Sequence, residues 1–318
     1  MRIVVTRPLP SGGLHLLNGH EIVQHEFSVG GPDEDQLIDI AQGADALITL
    51  LSDPVTDRVL SACPGIKVVA QYAVGYDNID LEAARTRGVV VTNTPGVLTE
   101  ATADMAFALL LAAARNVVPA DRYVRAGEFS RWEADLMLGA DLSGGMIGIV
   151  GLGRIGAAVA RRAIGFGMRV CYHNRSPANP SVEQKLGARL VSMNTLLEIS
   201  DVVSLHCSLN ESSQGLIGRE ALARMKPSAI LVNTARGAVV DEEALVDALR
   251  NRTIRAAGLD VFEDEPSVHP GLFDLDNVVM APHLGSATHA TRLRMAEMCA
   301  EAVQAVLSGA RHIPYRVV

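Results

Sequence analysis

Ile147-Gly148-Ile149-Val150-Gly151-Leu152-Gly153-Arg154-Ile155-Gly156 is the stretch whose reading decides the fold. Ile147 to Val150 predict an apolar strand, and Ala157 to Ala163 predict the helix that leaves the glycines. Between them stands GxGxxG in strand, loop and helix context. The first glycine permits a tight turn, the second lets backbone approach a pyrophosphate, and the third lets helix pack on strand. The helix N-terminus adds N–H donors and a positive dipole. A glycine-rich turn without a ligand is the bland alternative. Strand, loop, helix and following strand all match here and favour dinucleotide binding.

Outward from that loop, strand patterns recur at 146–150, 169–172, 202–206, 229–233, 256–259 and 278–281. Six strand patterns with helical segments between them predict a doubly wound parallel sheet. Before the loop, β-branched runs at 3–5, 46–50, 67–70 and 89–92 imply a second sheet of the same kind. The fold class is therefore α/β, with two doubly wound parallel-sheet domains, Rossmann-like and flavodoxin-like. Thr99 to Val118 reads as one helix, apolar almost all round and so buried between domains or subunits. A polar stretch from Arg122 to Asp141 follows and holds the only tryptophan, Trp132. The last apolar helix, Thr291 to Leu307, is expected to return to the N-terminal domain, where the chain termini would meet.

The 318 residues suit two domains, and 48% hydrophobic with 20% charged residues is ordinary for a folded globular chain. A net charge of −8 makes nucleic acid a poor partner. Cys63, Cys171, Cys207 and Cys299 stand singly without a CxxC pair, which suits packing roles in a reducing compartment better than disulfides or a metal site. The opening residues lack a signal-peptide pattern, and Met105 to Ala114, between Asp104 and Arg115, falls short of a membrane span. A cytoplasmic protein without membrane partners is expected.

An NAD-binding loop usually has an acidic residue about 20 positions on, at the end of the next strand, for the ribose hydroxyls. This chain has Tyr172-His173-Asn174-Arg175-Ser176 there. Asn174, Arg175 and Ser176 could accept a 2′-phosphate that a carboxylate would repel, so NADPH is preferred and NADH possible. Alternatively, Arg175 stacks on adenine or faces solvent.

Three later strand ends carry chemistry. Ile230 to Asn233 lead into Thr234-Ala235-Arg236-Gly237, Ala257 to Phe262 into Glu263-Asp264-Glu265-Pro266, and Val279 to Ala281 into Pro282-His283-Leu284-Gly285-Ser286. An arginine can bind a substrate carboxylate and polarise its ketone. A histidine can deliver the proton as hydride arrives, and a glutamate beside it favours the charged imidazole. Singly, Arg236 could pair with an acidic neighbour, Glu265 could be solvated and His283 could cap a strand. Their shared edge favours catalysis, namely reduction of a 2-keto acid.

These residues resemble the D-isomer-specific 2-hydroxyacid dehydrogenases, nearest to the glyoxylate and hydroxypyruvate reductases. The resemblance covers nearly the whole chain and includes Val74 to Asp80, the glycine loop, Asn233 to Gly237, Leu259 to Pro266 and Pro282 to Thr288. It implies a substrate domain at 1–97 plus 287–318, a cofactor domain at 98–286, an active site in the cleft and a homodimer. It makes Arg236 the substrate-binding arginine, Glu265 the partner of the histidine and His283 the acid/base. Backbone N–H groups of Val74 and Gly75 would hold the substrate carboxylate with Arg236, with Leu51 and Ser286 as further pocket contacts. Asp260 lies where the family meets the nicotinamide amide. Cofactor contacts are further implied at Gly151, Leu152, Gly153, Arg154, Ile155, Gly156, Cys207, Thr234, Ala235 and Gly285.

One departure concerns Leu136, which stands where comparable hydroxypyruvate reductases send a tryptophan into the neighbouring subunit's pocket. This puts a narrow hydroxypyruvate preference in doubt and leaves glyoxylate compatible. Absence of a basic cluster beyond Arg236 in the first domain argues against a phosphorylated substrate. Broader reductases of 2-ketogluconate or hydroxyphenylpyruvate, and a non-catalytic corepressor-like sensor, are the competing readings.

Overall fold

The computed structural model describes residues 1–27 and 30–318. Its elements follow the alternation of β-branched runs with amphipathic segments, and they divide into two units, Met1–Leu98 with Ser286–Val318 and Thr99–Gly285.

In the first unit, β1 (Arg2–Val5), β2 (Glu21–Gln24), α1 (Glu34–Ala41), β3 (Ala46–Thr49), α2 (Asp57–Ala62), β4 (Val68–Gln71), α3 (Leu81–Arg87) and β5 (Val90–Thr92) follow in order. The strands form a parallel sheet in the order β2-β1-β3-β4-β5. β3 and β4 are buried on both faces, which is why they read as unbroken apolar runs rather than alternations. Short helices need defined starts, and polar caps supply them: Asp33 and Gln36 form a reciprocal capping box, while Thr56 and Asp80 accept from Val59 and Ala83.

The second unit holds α4 (Thr99–Ala114), α5 (Val117–Arg125), β6 (Met146–Val150), α6 (Arg154–Gly165), β7 (Arg169–His173), α7 (Pro180–Leu186), β8 (Arg189–Leu190), α8 (Met193–Ile199), β9 (Val202–Leu205), α9 (Arg219–Arg224), β10 (Ile230–Asn233), α10 (Glu242–Arg250), β11 (Ala256–Leu259) and β12 (Val278–Met280). Its seven parallel strands run β12-β11-β10-β9-β6-β7-β8. Strand order reverses between β6 and β9, the switch point where an open sheet leaves a crevice beyond its carboxyl ends. One face packs on α4 and α6 through Phe107, Leu110, Ile147, Ile149 and Val159; the other buries Leu196, Leu205, Leu231, Leu245 and Leu249. Each such apolar side chain contributes roughly 1.5–3 kcal/mol by leaving water.

The chain then returns to the first unit as α11 (His289–Leu307), which starts on the Thr288 cap and packs on β4. The hydroxyl of Tyr72 donates to the carbonyl of Arg292 at 2.6 Å, and the tail lies antiparallel on β5, with Val317 N–H to Val91 C=O at 2.7 Å. The C-terminus thus closes the β5 edge, while the N-terminal strand sits inside the sheet; the termini share a unit but do not meet.

Two strands were missed and one expected helix is broken. β2 and β8 escaped the sequence reading: Glu21–Gln24 is polar at both ends, and Arg189–Leu190 is two residues long. The expected helix to Val118 breaks at Asn116, whose φ of 53° lies in the left-handed region and bends α5 away from α4 by 63°. No single helix among the described residues is long and apolar enough to cross a bilayer.

Candidate active site

β6 delivers the chain to Gly151 at φ 96°, where a Cβ would lie 2.6 Å from the backbone N of Cys207. Only glycine fits a left-handed turn pressed against the end of β9. At Gly156 a Cβ would lie 2.3 Å from the carbonyl oxygen of Gly151, so α6 could not pack this close to the loop with any side chain there. Gly153 differs: its Cβ would meet nothing within 4 Å. It is the N-cap of α6 and has no side chain to bond the first-turn N–H groups, those around Arg154 and Ile155. Open space in front of an uncapped helix N-terminus fits a pyrophosphate.

At the end of β7 the amide oxygen of Asn174 accepts from Leu152 N–H at 2.7 Å, so this side chain braces the glycine loop. Arg175 and Ser176 are exposed beside it. Sequence reasoning grouped the three; the structure gives the first a separate task.

Just past β9 and β10 lie His206 and Thr234, neighbours by the register of those strands. His206 Nε2 meets the Ser204 hydroxyl at 2.8 Å, and burial pushes its pKa down to about 3, so the ring is neutral. His206 Nδ1 and Thr234 Oγ1 are buried without a hydrogen-bond partner among the described residues. A buried unpaired polar atom costs roughly 1–3 kcal/mol, and two of them beside the switch-point crevice fit a polar ligand or ordered water at this edge. Cys207, half-buried, and Ala235 flank them. His206 was not singled out in the sequence; the available signal was a polar residue ending the apolar run Val202 to Leu205.

The three adjacent strands β10, β11 and β12 then present Arg236, Glu265 and His283 at their carboxyl ends. The buried Asn233 side chain sets the first turn, donating to Arg236 C=O at 2.9 Å and accepting from Ala235 N–H at 3.0 Å. Gly237 follows, where a Cβ would fall 1.8 Å from the Phe262 carbonyl; its absence lets the Arg236 turn lie against the backbone that leads to Glu265. That backbone is clamped by Glu242, whose carboxylate accepts from Glu263 N–H at 2.8 Å.

Glu265 bridges. One oxygen accepts from Phe262 N–H at 3.0 Å and the other meets His283 Nδ1 at 2.8 Å. The contact places a proton on Nδ1 and turns Nε2 outward as the group that faces a reactant. His283 itself sits at φ 54°, a conformation that costs a non-glycine residue roughly 1–3 kcal/mol unless its surroundings hold it. Asp260 does the holding. It is 1% exposed, its carbonyl accepts from His283 N–H at 2.8 Å, and its two carboxylate oxygens accept from Leu284 and Gly285 N–H, each at 2.7 Å. Burial raises the Asp260 carboxyl above its ordinary range against the pull of those N–H groups and of His283. At Gly285 a Cβ would stand 3.1 Å from Asp260, so the turn is tight on both sides.

In the first unit, Leu51 follows β3, Val74 and Gly75 follow β4, and all three are half-buried at that sheet's carboxyl edge. Ser286 opens the returning segment of the same unit. Among the described residues no cluster of His, Cys, Asp or Glu could hold a metal ion.

The hydrogen-bonded pair of His283 and Glu265 and the turn of Arg236 thus follow adjacent strands at the carboxyl edge of the sheet that carries the glycine loop. Comparison with known proteins gives the family. The family model described as D-isomer specific 2-hydroxyacid dehydrogenase, NAD binding domain, matches residues 107–285. A glyoxylate reductase of Korarchaeum cryptofilum is 54% identical over 303 residues, covering 94% of this chain and 91% of that protein. A crystal structure of a Thermus thermophilus protein superposes with a TM-score of 0.93 at 48% identity, covering all of both chains. An NADPH-dependent glyoxylate/hydroxypyruvate reductase from Sinorhizobium meliloti, solved with NADP and malonate, gives 0.88 at 34% identity over 100% of this chain and 96% of that one. The chain belongs to the D-isomer-specific 2-hydroxyacid dehydrogenase family.

Proposed function

We propose that the chain reduces small 2-keto acids, glyoxylate first and hydroxypyruvate less selectively, to the 2-hydroxy acids, with NADPH preferred over NADH. The observation that carries this reading is the 2.8 Å pair of His283 and Glu265 at the strand end beside that of Arg236. Arg236 binds the carboxylate and polarises the ketone. His283 gives the proton on Nε2 to the carbonyl oxygen, and Glu265 stabilises the imidazolium that serves as donor. The nicotinamide, when bound, supplies the hydride. Val74 and Gly75 N–H groups hold the carboxylate, with Leu51 and Ser286 beside it. Gly151 to Gly156, Cys207, Thr234, Ala235, Asp260 and Gly285 receive the cofactor, and Arg175 with Ser176 take its 2′-phosphate.

Glyoxylate as first substrate is supported by the names of the relatives and by Leu136 where a bulkier ring would narrow the choice. A homodimer is supported by exposed apolar side chains on α5 and the segment after it, Val124 at 59%, Trp132 at 79% and Leu138 at 66%. Four free thiols support a reducing, cytoplasmic setting. Glyoxylate, hydroxypyruvate, phenylpyruvate derivatives and 2-ketogluconate, each assayed with both reduced nicotinamides, test the reading. Fastest turnover of glyoxylate with NADPH supports it; inertness toward every acid would return the chain to a sensing role.

A further inference from the structure

The first unit contains an amide relay at the ends of β3 and β4 that the mechanism above does not use. Thr49 and Gln71 are register neighbours, both fully buried. The Thr49 hydroxyl donates to Gln71 Oε1 at 2.8 Å. Gln71 Nε2 then donates to Asn78 Oδ1 at 2.7 Å and to the Gly75 carbonyl at 3.3 Å. Asn78 Nδ2 in turn donates to the carbonyls of Leu50 at 3.1 Å and Asp53 at 2.7 Å. Both hydrogens of each amide are spent, and the loop around Leu51 is tied to the loop around Gly75.

A second line of bonds acts on the same loop. Asn93 Nδ2 donates to the Val74 carbonyl at 2.8 Å, and Thr94 N–H donates to the Ala73 carbonyl at 2.8 Å. Three successive carbonyl oxygens, those of Ala73, Val74 and Gly75, are thereby held inside the unit. In a planar trans peptide the N–H points opposite to its C=O. Pinning these three carbonyls therefore turns the N–H groups of Val74, Gly75 and Tyr76 the other way, as fixed donors whose orientation is set before an anion arrives. Such preorganisation removes the reorientation cost that a mobile loop would incur on binding.

We infer that Gln71, Asn78 and Asn93 are positioning residues that preset the Val74–Tyr76 N–H groups for the carboxylate of the keto acid. The inference rests on the reading that this loop receives that carboxylate.

The test uses the full-length enzyme and two isosteric variants, Asn93→Asp and Gln71→Glu, each of which puts an acceptor where a donor held a carbonyl. KM for glyoxylate and the inhibition constant of oxalate should rise about ten- to a hundredfold, the worth of one charge-assisted hydrogen bond, with kcat and NADPH affinity little changed. Thr49→Val, which removes the donor that holds Gln71 Oε1, should raise KM in the same direction, and Thr49→Ser should restore it. A role confined to folding would instead lower Tm and leave KM alone. Unchanged KM and oxalate binding in folded Asn93→Asp would overturn the inference, and this half-buried position decides the matter if Gln71→Glu does not fold. A wild-type enzyme inert toward every short keto acid is a separate result, and it removes the functional reading itself.

Discussion

Replacing Glu265 by Gln isolates what the carboxylate charge does for His283. The shape survives. If the amide oxygen keeps Phe262 N–H, the amide nitrogen faces His283 Nδ1, which must then accept rather than donate. The ring is held in the neutral tautomer with its proton on Nε2, and a neutral imidazole is a far poorer acid than an imidazolium. A charge-assisted hydrogen bond contributes roughly 1.5–3 kcal/mol. The His283 and Glu265 side chains are 28% and 31% exposed, so solvent screening trims the upper end. A loss of about 1.5–2.5 kcal/mol corresponds to a roughly ten- to seventyfold fall in kcat/KM. That stays below the ~10²–10⁴-fold worth of the general acid itself. Steady-state reduction of glyoxylate at neutral pH reads the effect, with NADPH binding and Tm as controls. Wild-type kcat/KM in a folded Glu265→Gln enzyme would refute the proposed pairing.

The other expectations concern separate parts of the second unit. Asp260→Asn leaves one of two buried N–H groups facing a donor and should cost about 2–4 kcal/mol, lowering Tm by roughly 5–15 °C; an unchanged melting curve would deny Asp260 its part in holding the His283 turn. Arg175→Ala should weaken NADPH about ten- to a hundredfold and leave NADH nearly alone, measured by fluorescence titration, whereas equal losses would point to adenine stacking instead. His206 is depressed from 6.5 to about 3 in the folded chain, so only the unfolded chain takes up this proton between those values. Its share of stability is present above 6.5 and is lost as pH falls toward 3, by up to about 1.4 kcal/mol per unit. Denaturant titrations of His206→Gln should show a shallower loss over that window; the same slope as wild type would mean that the ring is protonated in place.

The parts of the fold legible in the residues were those built from local rules. GxGxxG can be read without a distant partner, because its spacing alone implies a turn, a ligand and a helix, although Gly151 is also pressed against the end of β9. Long apolar strands such as Ile230–Asn233 announce themselves for the same reason. β2 and β8 did not, since short edge strands carry too few residues for a period to show and owe their existence to the neighbour they pair with. The break at Asn116 was equally silent: Met105 to Ala114 is apolar throughout, and a single left-handed residue just beyond it changes the direction of the chain without changing its composition.

Residue types and spacing alone determined that this chain carries a dinucleotide loop, that Arg236, Glu265 and His283 end successive strands, and that an acid is missing where NAD would want one. Tertiary structure decided which atoms meet. It set Glu265 between Phe262 and His283, gave Asp260 the turn that holds a strained histidine, committed Asn174 to the glycine loop, and ran an amide relay from Thr49 through Gln71 to Asn78. The division has a physical cause. Backbone conformation and hydrophobic period are properties of neighbours in the chain, whereas a hydrogen bond between side chains 18 or 22 residues apart exists only once strand order and register have brought their carbon atoms within a few ångströms.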